Sequence, residues 1–178
     1  MKTPNELSET VEQFALVAAQ FCGVVDAVLS LDRSEFCTQI YRLLPKLIDQ
    51  AISLPDVAPS NAEGGQDEEG IKAPPTSESL SVEQSHAKWK LRYSLLTEKL
   101  EDWDLYREVF NPVSDAEVVY GSLADDLADI YRDLSEPLNE TSTPPEDRIW
   151  AWRFSFRSHW GQHAVDALRA IHSRRHFH

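Results

Sequence analysis

Cysteine and positive charge are both scarce in this chain, and each scarcity excludes something. Two cysteines, Cys22 and Cys37, are too few for a secreted disulfide framework. No basic-then-apolar leader stands at the N-terminus, so a reducing cytoplasm is the expected location. Charges interrupt every apolar run well before the ~20 residues that cross a bilayer, so no membrane span is expected. Lysine and arginine number 17 against 30 aspartates and glutamates, a net charge of −13. Such a surface should repel nucleic acid and anionic membrane alike.

The deficit of positive charge is uneven. Residues 148–178 hold six arginines against one acid, Asp166, a local +5, so residues 1–147 carry −18. The basic segment reads either as a phosphate-binding patch or, more simply, as the charge complement of acidic neighbours in the same fold.

What the chain does have is helical punctuation. A chain of 178 residues suits one domain that removes roughly two-thirds of its unfolded surface from water. Thr3-Pro-Asn-Glu6, Asp32-Arg-Ser-Glu35, Ser81-Val-Glu-Gln84, Ser114-Asp-Ala-Glu117 and Thr143-Pro-Pro-Glu146 each set a short oxygen-bearing side chain three residues before Glu or Gln. That is capping-box chemistry, which satisfies the orphan amides of a first helical turn. Stripes at helical spacing accompany the boxes: Leu7 to Val28, Phe36 to Leu47, Trp89 to Trp103 and Leu123 to Leu134. The expected fold is an all-α, single-domain bundle of about five helices. Residues 1–54 form an N-terminal helical hairpin with Cys22 and Cys37 as buried thiols at similar heights, and residues 81–178 form a three-helix part. Between them, residues 55–80 are rich in Pro, Ser, Gly and Glu and nearly devoid of large apolar side chains. They read as a flexible acidic loop, because burial there cannot offset the entropy of ordering. Leu105, Tyr106, Val109 and Phe110 are expected to pack back onto the bundle.

The fifth helix reads as the central one. On a wheel of about 100° per residue, Trp150, Phe154, Gly161, Val165 and Leu168 share one apolar face, and Trp152, Phe156, Trp160 and Ala167 nearly the opposite one. Gly161, inside that helix, sacrifices about 1 kcal/mol of propensity, a cost that suggests another backbone or a ligand in close approach.

Two cassettes carry chemistry. Asp125-Asp126-Leu-Ala-Asp129-Ile-Tyr131 lies on the fourth helix and His159-Trp160-Gly-Gln-His163 on the fifth. The wheel turns Asp126 and Asp133 toward the core, sets Asp129 further out and points Asp125 to solvent. Imidazoles at i and i+4 share a helix face and can hold one ion, with Asp126 and Asp129 completing the shell; zinc, iron or manganese would suit such donors. Arg153 and Arg157 compete for the same carboxylates, and an Asp126 or Asp133 pair with Arg157 is expected. The candidate cluster is therefore Asp126, Asp129, Asp133, Arg153, Arg157, His159, Trp160 and His163, read as a polar lock between two helices or as a metal site.

The run Trp103-Asp-Leu-Tyr106, Val109-Phe-Asn-Pro112, Ser122 through Leu134, Trp150 through Phe156, His159-Trp-Gly-Gln-His163 and Ala167 through His172 resembles an uncharacterised family of bacterial proteins known only as a domain of unknown function. The resemblance runs from Trp89 onward and implies a small, mainly helical protein; it carries no activity. Asp125-Asp126-x-x-Asp129 also matches the aspartate-rich motif of isoprenoid synthases, but that fold needs a longer chain and a second metal motif that is absent here. Two functions remain: a non-enzymatic module that binds a protein partner or small ligand, and a metal-dependent hydrolase using Asp126, Asp129, His159 and His163. On sequence alone the polar lock with no enzymatic role requires less and is preferred.

Overall fold

The computed structural model describes residues 3–60, 82–109, 113–114, 117–140 and 142–177. Its helices are α1 (Pro4–Asp26), α2 (Arg33–Ser53), α3 (Val82–Leu100), α4 (Leu123–Asn139), α5 (Pro145–Ser155) and α6 (Gly161–Phe177), and a short hairpin of β1 (Leu105–Glu108) and β2 (Val119–Ser122) separates α3 from α4. The fold is an all-α bundle, and a π turn over Phe156–Trp160 joins α5 to α6. None of the described helices is long and apolar enough to cross a membrane.

The first two caps form as the sequence dictates. Thr3 and Glu6 close a reciprocal capping box on α1, and Asp32 accepts the Glu35 amide at the start of α2. Ser81 lies outside the described residues. The remaining two boxes fail, for identifiable reasons. Ser114 sits in a turn, and the chain enters β2 before α4 begins at Leu123, capped by Ser122. Asp104 reinforces that cap from across the hairpin: its buried carboxylate accepts the Ala124 amide and the Ser122 hydroxyl, and its carbonyl accepts the Leu123 amide. Thr143 turns its hydroxyl to Glu140, while α5 starts on Pro145 without a side-chain cap. Proline supplies the helical φ there, and Glu146 and Asp147 meet the positive end of the helix dipole.

The seams meet in one core. Phe14 and Phe21 of α1, Phe36, Ile40, Leu44 and Leu47 of α2, Leu96 and Leu100 of α3 and Leu123 and Leu127 of α4 are fully buried with Trp152 and Trp160. The rings of Phe14 and Trp152 lie 4.8 Å apart between centroids. Cys22 and Cys37 are buried free thiols, and burial pushes them up to about 12 and about 11.

The central helix is α4 rather than the α5–α6 rod. It packs against α1, α3, α5 and α6, and Leu123, Ala124, Asp126, Leu127, Ala128, Asp129, Ile130 and Leu134 are all buried. The apolar face expected through Trp150, Phe154, Gly161, Val165 and Leu168 is only partly covered: Trp150 and Phe154 are half-buried and stack on each other and Val165 is exposed, while Gly161 is buried and Leu168 packs on the core. The π turn reconciles the pattern. In an unbroken helix Trp152, Trp160, Ala164, Ala167 and Ile171 would fan over roughly 120°. One extra residue taken up in a π turn rotates everything after it by about 100°, which returns the last four to the side of Trp152, and all five are buried.

Of the sequence expected to be a loop, residues 61–80 fall outside the described residues. Residues 55–60 are attached to α5: Val57 packs on the core, the Ser60 amide and hydroxyl bond Asp147, and Asp56 pairs with Arg153. The stretch from Leu105 onward forms the hairpin, antiparallel with Tyr106 opposite Gly121. Leu105 is exposed, Tyr106 packs on the core, and Phe110 is outside the described residues.

Candidate metal centre

Three aspartates form a stripe on α4. Asp126, Asp129 and Asp133 are three, four and seven residues apart, spacings that share one helix face, and all three meet the π turn and the first turn of α6. Asp126 and Asp129 are only 5% and 8% exposed, so Asp129 is an inward residue and not the outlying one its place on the wheel suggests. Asp125 is half-buried; burial, then the charge of Asp129, raises its carboxyl.

His159 comes from the π turn and His163 from the first turn of α6, with ring centroids 4.9 Å apart. Nδ1 of His159 lies 2.8 Å from Asp133 Oδ2, and Nδ1 of His163 lies 2.8 Å from Asp126 Oδ1. An ionised carboxylate only accepts, so Nδ1–H is the donor in each pair. In a neutral imidazole that assignment leaves the Nε2 lone pair available. Both Nε2 atoms face Asp129 Oδ2, at 3.7 Å for His159 and 3.5 Å for His163. Ligand atoms of Asp129, His159 and His163 all lie within 4.8 Å of one another.

An outer layer fixes these groups. Arg132 pairs with Asp129 Oδ1 at 2.8 Å and donates to Asp133 Oδ1 at 3.4 Å, leaving Oδ2 of Asp129 to the imidazoles. The Tyr106 hydroxyl donates to Asp126 Oδ2 at 2.7 Å. Burial raises Asp126 to about 6, although the hydrogen bonds from His163 and Tyr106 pull it down. For His163, burial alone would lower the imidazole, but the Asp126 hydrogen bond and the negative charges of Asp126, Asp129 and Asp125 outweigh it and leave it raised. Burial and the neighbouring Asp126 push the Tyr106 phenol far above its ordinary range, so it stays a donor.

Three members of the expected cluster are elsewhere. Arg153 pairs with Asp56, and Arg157 is exposed and forms no ion pair among the described residues. The expected Asp126 or Asp133 pair with Arg157 is therefore absent: these carboxylates are occupied by histidine, and Arg157 emerges on the outer side of the π turn. Trp160 is a core residue, packed at 4.7 Å from the Phe156 ring, with its indole N–H buried and unpartnered among the described residues. Conversely, Tyr106 and Arg132 were missed. Arg132 lies three residues after Asp129, a readable helical pair; Tyr106 reaches Asp126 only through the hairpin, which no periodicity announces.

The donor set and its spacing fit an ion. Tetrahedral ligands at metal distances of 2.0–2.1 Å stand roughly 3.3–3.4 Å from each other. The two Nε2–Oδ2 separations are close to that figure and long for hydrogen bonds. An imidazole fixed by a carboxylate at its far nitrogen is the usual support of a metal-ligating histidine, and both imidazoles have one.

The chain belongs to a family defined by a domain of unknown function (DUF5063), whose profile matches residues 5–176. The fold is similar to the crystal structure of a Bacteroides fragilis protein determined as a structural-genomics target, with a TM-score of 0.70 and 24% identity over 95% of this chain and 94% of that one. No curated protein matches. The function of this chain is thus not given by its relatives.

Proposed function

We propose that this protein holds one divalent metal ion on Asp129 Oδ2, His159 Nε2 and His163 Nε2, and that the site serves metal-assisted hydrolysis. The observation that supports it is the double carboxylate–imidazole arrangement. Asp133 and Asp126 fix the Nδ1 atoms of two histidines whose Nε2 atoms converge on a third carboxylate at ligand-to-ligand distances. Zinc, iron and manganese all accept these donors.

Three protein ligands leave a coordination position open, the mark of a catalytic site as opposed to a closed structural one. The partial exposure of the His159 and His163 side chains, 37% and 24%, gives water and substrate a route in. When bound, such an ion supplies Lewis acidity and lowers the pKa of a water toward about 7. The chain's own residues do the rest. Asp126 and Asp133 hold the imidazoles in one tautomer, Arg132 turns Asp129 so that one oxygen faces the site, and Tyr106 steadies Asp126. Two buried thiols suit a reducing compartment, and the cytoplasm remains our reading of its location.

A second reading rests on the raised imidazole of His163. An imidazolium between Asp126 and Asp129 would lock α4 to α6 without metal, in a non-enzymatic module for a protein partner or small ligand. Elemental analysis separates the two. Untagged protein reconstituted with zinc, manganese or ferrous iron and then desalted should retain about one ion per chain, and the His159→Ala/His163→Ala variant should retain none. Equal, near-zero retention in both proteins establishes the lock instead.

A further inference from the structure

Beyond the metal cluster, α6 faces the β-hairpin across a cleft of about 520 Å³. Tyr106, Arg107 and Tyr120 line the hairpin side, and Arg169, Ser173 and Arg174 the helix side; no carboxylate of the described residues lines it. In a chain of net charge −13, three guanidinium groups gathered around one concavity, with Asp166 the one carboxylate of the described residues paired to any of them, is an imbalance that calls for a counter-charge.

Among the described residues the arginines find little of it. Arg107 lies over the Tyr120 ring at 5.9 Å and has no carboxylate partner among the described residues. Arg174 donates to the carbonyl oxygens of Asp102 and Leu105, both at 2.9 Å, bonds that orient the group but leave its charge uncompensated. Arg169, itself half exposed, reaches the largely buried Asp166 at a long 3.5 Å, one carboxylate for the three guanidinium groups. Among the six arginines of the basic segment, Arg153 and Arg169 are the two that pair with carboxylates of the described residues.

Several converging cations need a ligand that carries more than one negative charge on one compact group. A phosphate brings about −1.5 to −2 at neutral pH and three acceptor oxygens, matched to the planar fork of arginine; a single carboxylate brings one charge. The volume is that of a small-molecule site, and the exposed Tyr120 ring offers an apolar wall. We propose that this cleft binds a small phosphate-bearing molecule through Arg107, Arg169 and Arg174. The site is distinct from the metal cluster, because Arg169 and Arg174 lie about 9 and 16 Å along α6 from His163 at 1.5 Å per residue. The two share only Tyr106, whose ring borders the cleft and whose hydroxyl bonds Asp126.

Calorimetric titration of the metal-free full chain with pyrophosphate, in EDTA at low salt, tests the assignment. Saturable one-to-one binding is expected, weakened roughly tenfold or more in Arg107→Ala/Arg169→Ala, two exposed positions whose loss should leave the circular dichroism spectrum unchanged. Arg157→Ala/Arg175→Ala removes the same charge outside the cleft and should bind as the parent does, as should His159→Ala/His163→Ala. Citrate, of comparable charge, should bind at least about tenfold more weakly. The proposal is overturned by absent saturation, by equal losses in the two arginine pairs, or by citrate binding as tightly as pyrophosphate. Loss of binding in the histidine variant alone would place the anion on the metal cluster, overturning this site while leaving the metal reading intact.

Discussion

Asp126 and His163 concentrate the electrostatic argument. A carboxyl raised to about 6 by burial faces an imidazole raised by its Asp126 hydrogen bond and by three carboxylates, and any proton held on the Nε2 of His163 is one that a metal must displace. A ligating imidazole has to be neutral. Since the folded His163 pKa lies above the ordinary 6.5, metal affinity should fall as pH drops through a window higher than a free imidazole would give; competition against a chromophoric chelator at several pH values reads it. An affinity independent of acid over that range would show that His163 is not a ligand. Asp133→Asn and Asp126→Asn keep size and shape but weaken the hold on each Nδ1. Each should reduce metal affinity about 10–100-fold without unfolding the chain, and unchanged affinity would remove these aspartates from the site. Among single residues the sequence disclosed the pair of histidines and the inward turn of Asp126, because both result from spacing along one helix. It misplaced Asp129, since burial of that side chain comes from the α5–α6 rod and not from the leucine stripe by which the wheel was oriented.

Helices were legible where local chemistry alone decides them. Capping boxes and stripes gave α1 and α2, and the hydrophobic seams gave α3 and α4. The π turn was not legible, because a single inserted residue leaves composition unchanged and only rotates the phase of the residues after it; the two opposed apolar faces read on the fifth helix were its trace. Gly161 was the other trace. A Cβ there would sit 2.3 Å from the Phe156 carbonyl oxygen and 3.0 Å from its ring, and that carbonyl accepts the Gly161 amide across the π turn. Gly161→Ala should therefore lose stability despite alanine's better helix propensity, by about 1–3 kcal/mol if the turn must shift. Thermal unfolding would show a drop of about 2–4 °C per kcal/mol, and metal affinity should fall with it because His159 lies inside the turn. A variant as stable as the parent would mean that the π turn is no constraint. The hairpin escaped for a different reason: its strands are four residues each, too short for a period of two to register, and its anchor, Asp104, acts on α4 across a gap of twenty residues in sequence.

Over the whole molecule, the acidic body and the basic C-terminal segment are not simply paired. The structure uses the acids of α4 to hold histidines and leaves arginines of α6 around a separate cleft. Composition exposed the asymmetry of charge but not its division between two places, since that division depends on which face of α6 meets the hairpin. The metal reading stands or falls on whether Asp129 and the two histidines share one ion, and anomalous diffraction sees that ion itself. Crystals of the zinc-reconstituted protein, recorded on either side of the zinc absorption edge, should show one strong difference peak about 2.0–2.2 Å from Asp129 Oδ2, His159 Nε2 and His163 Nε2. Well-ordered side chains with no peak between them, and His163 hydrogen-bonded to both Asp126 and Asp129, would refute it.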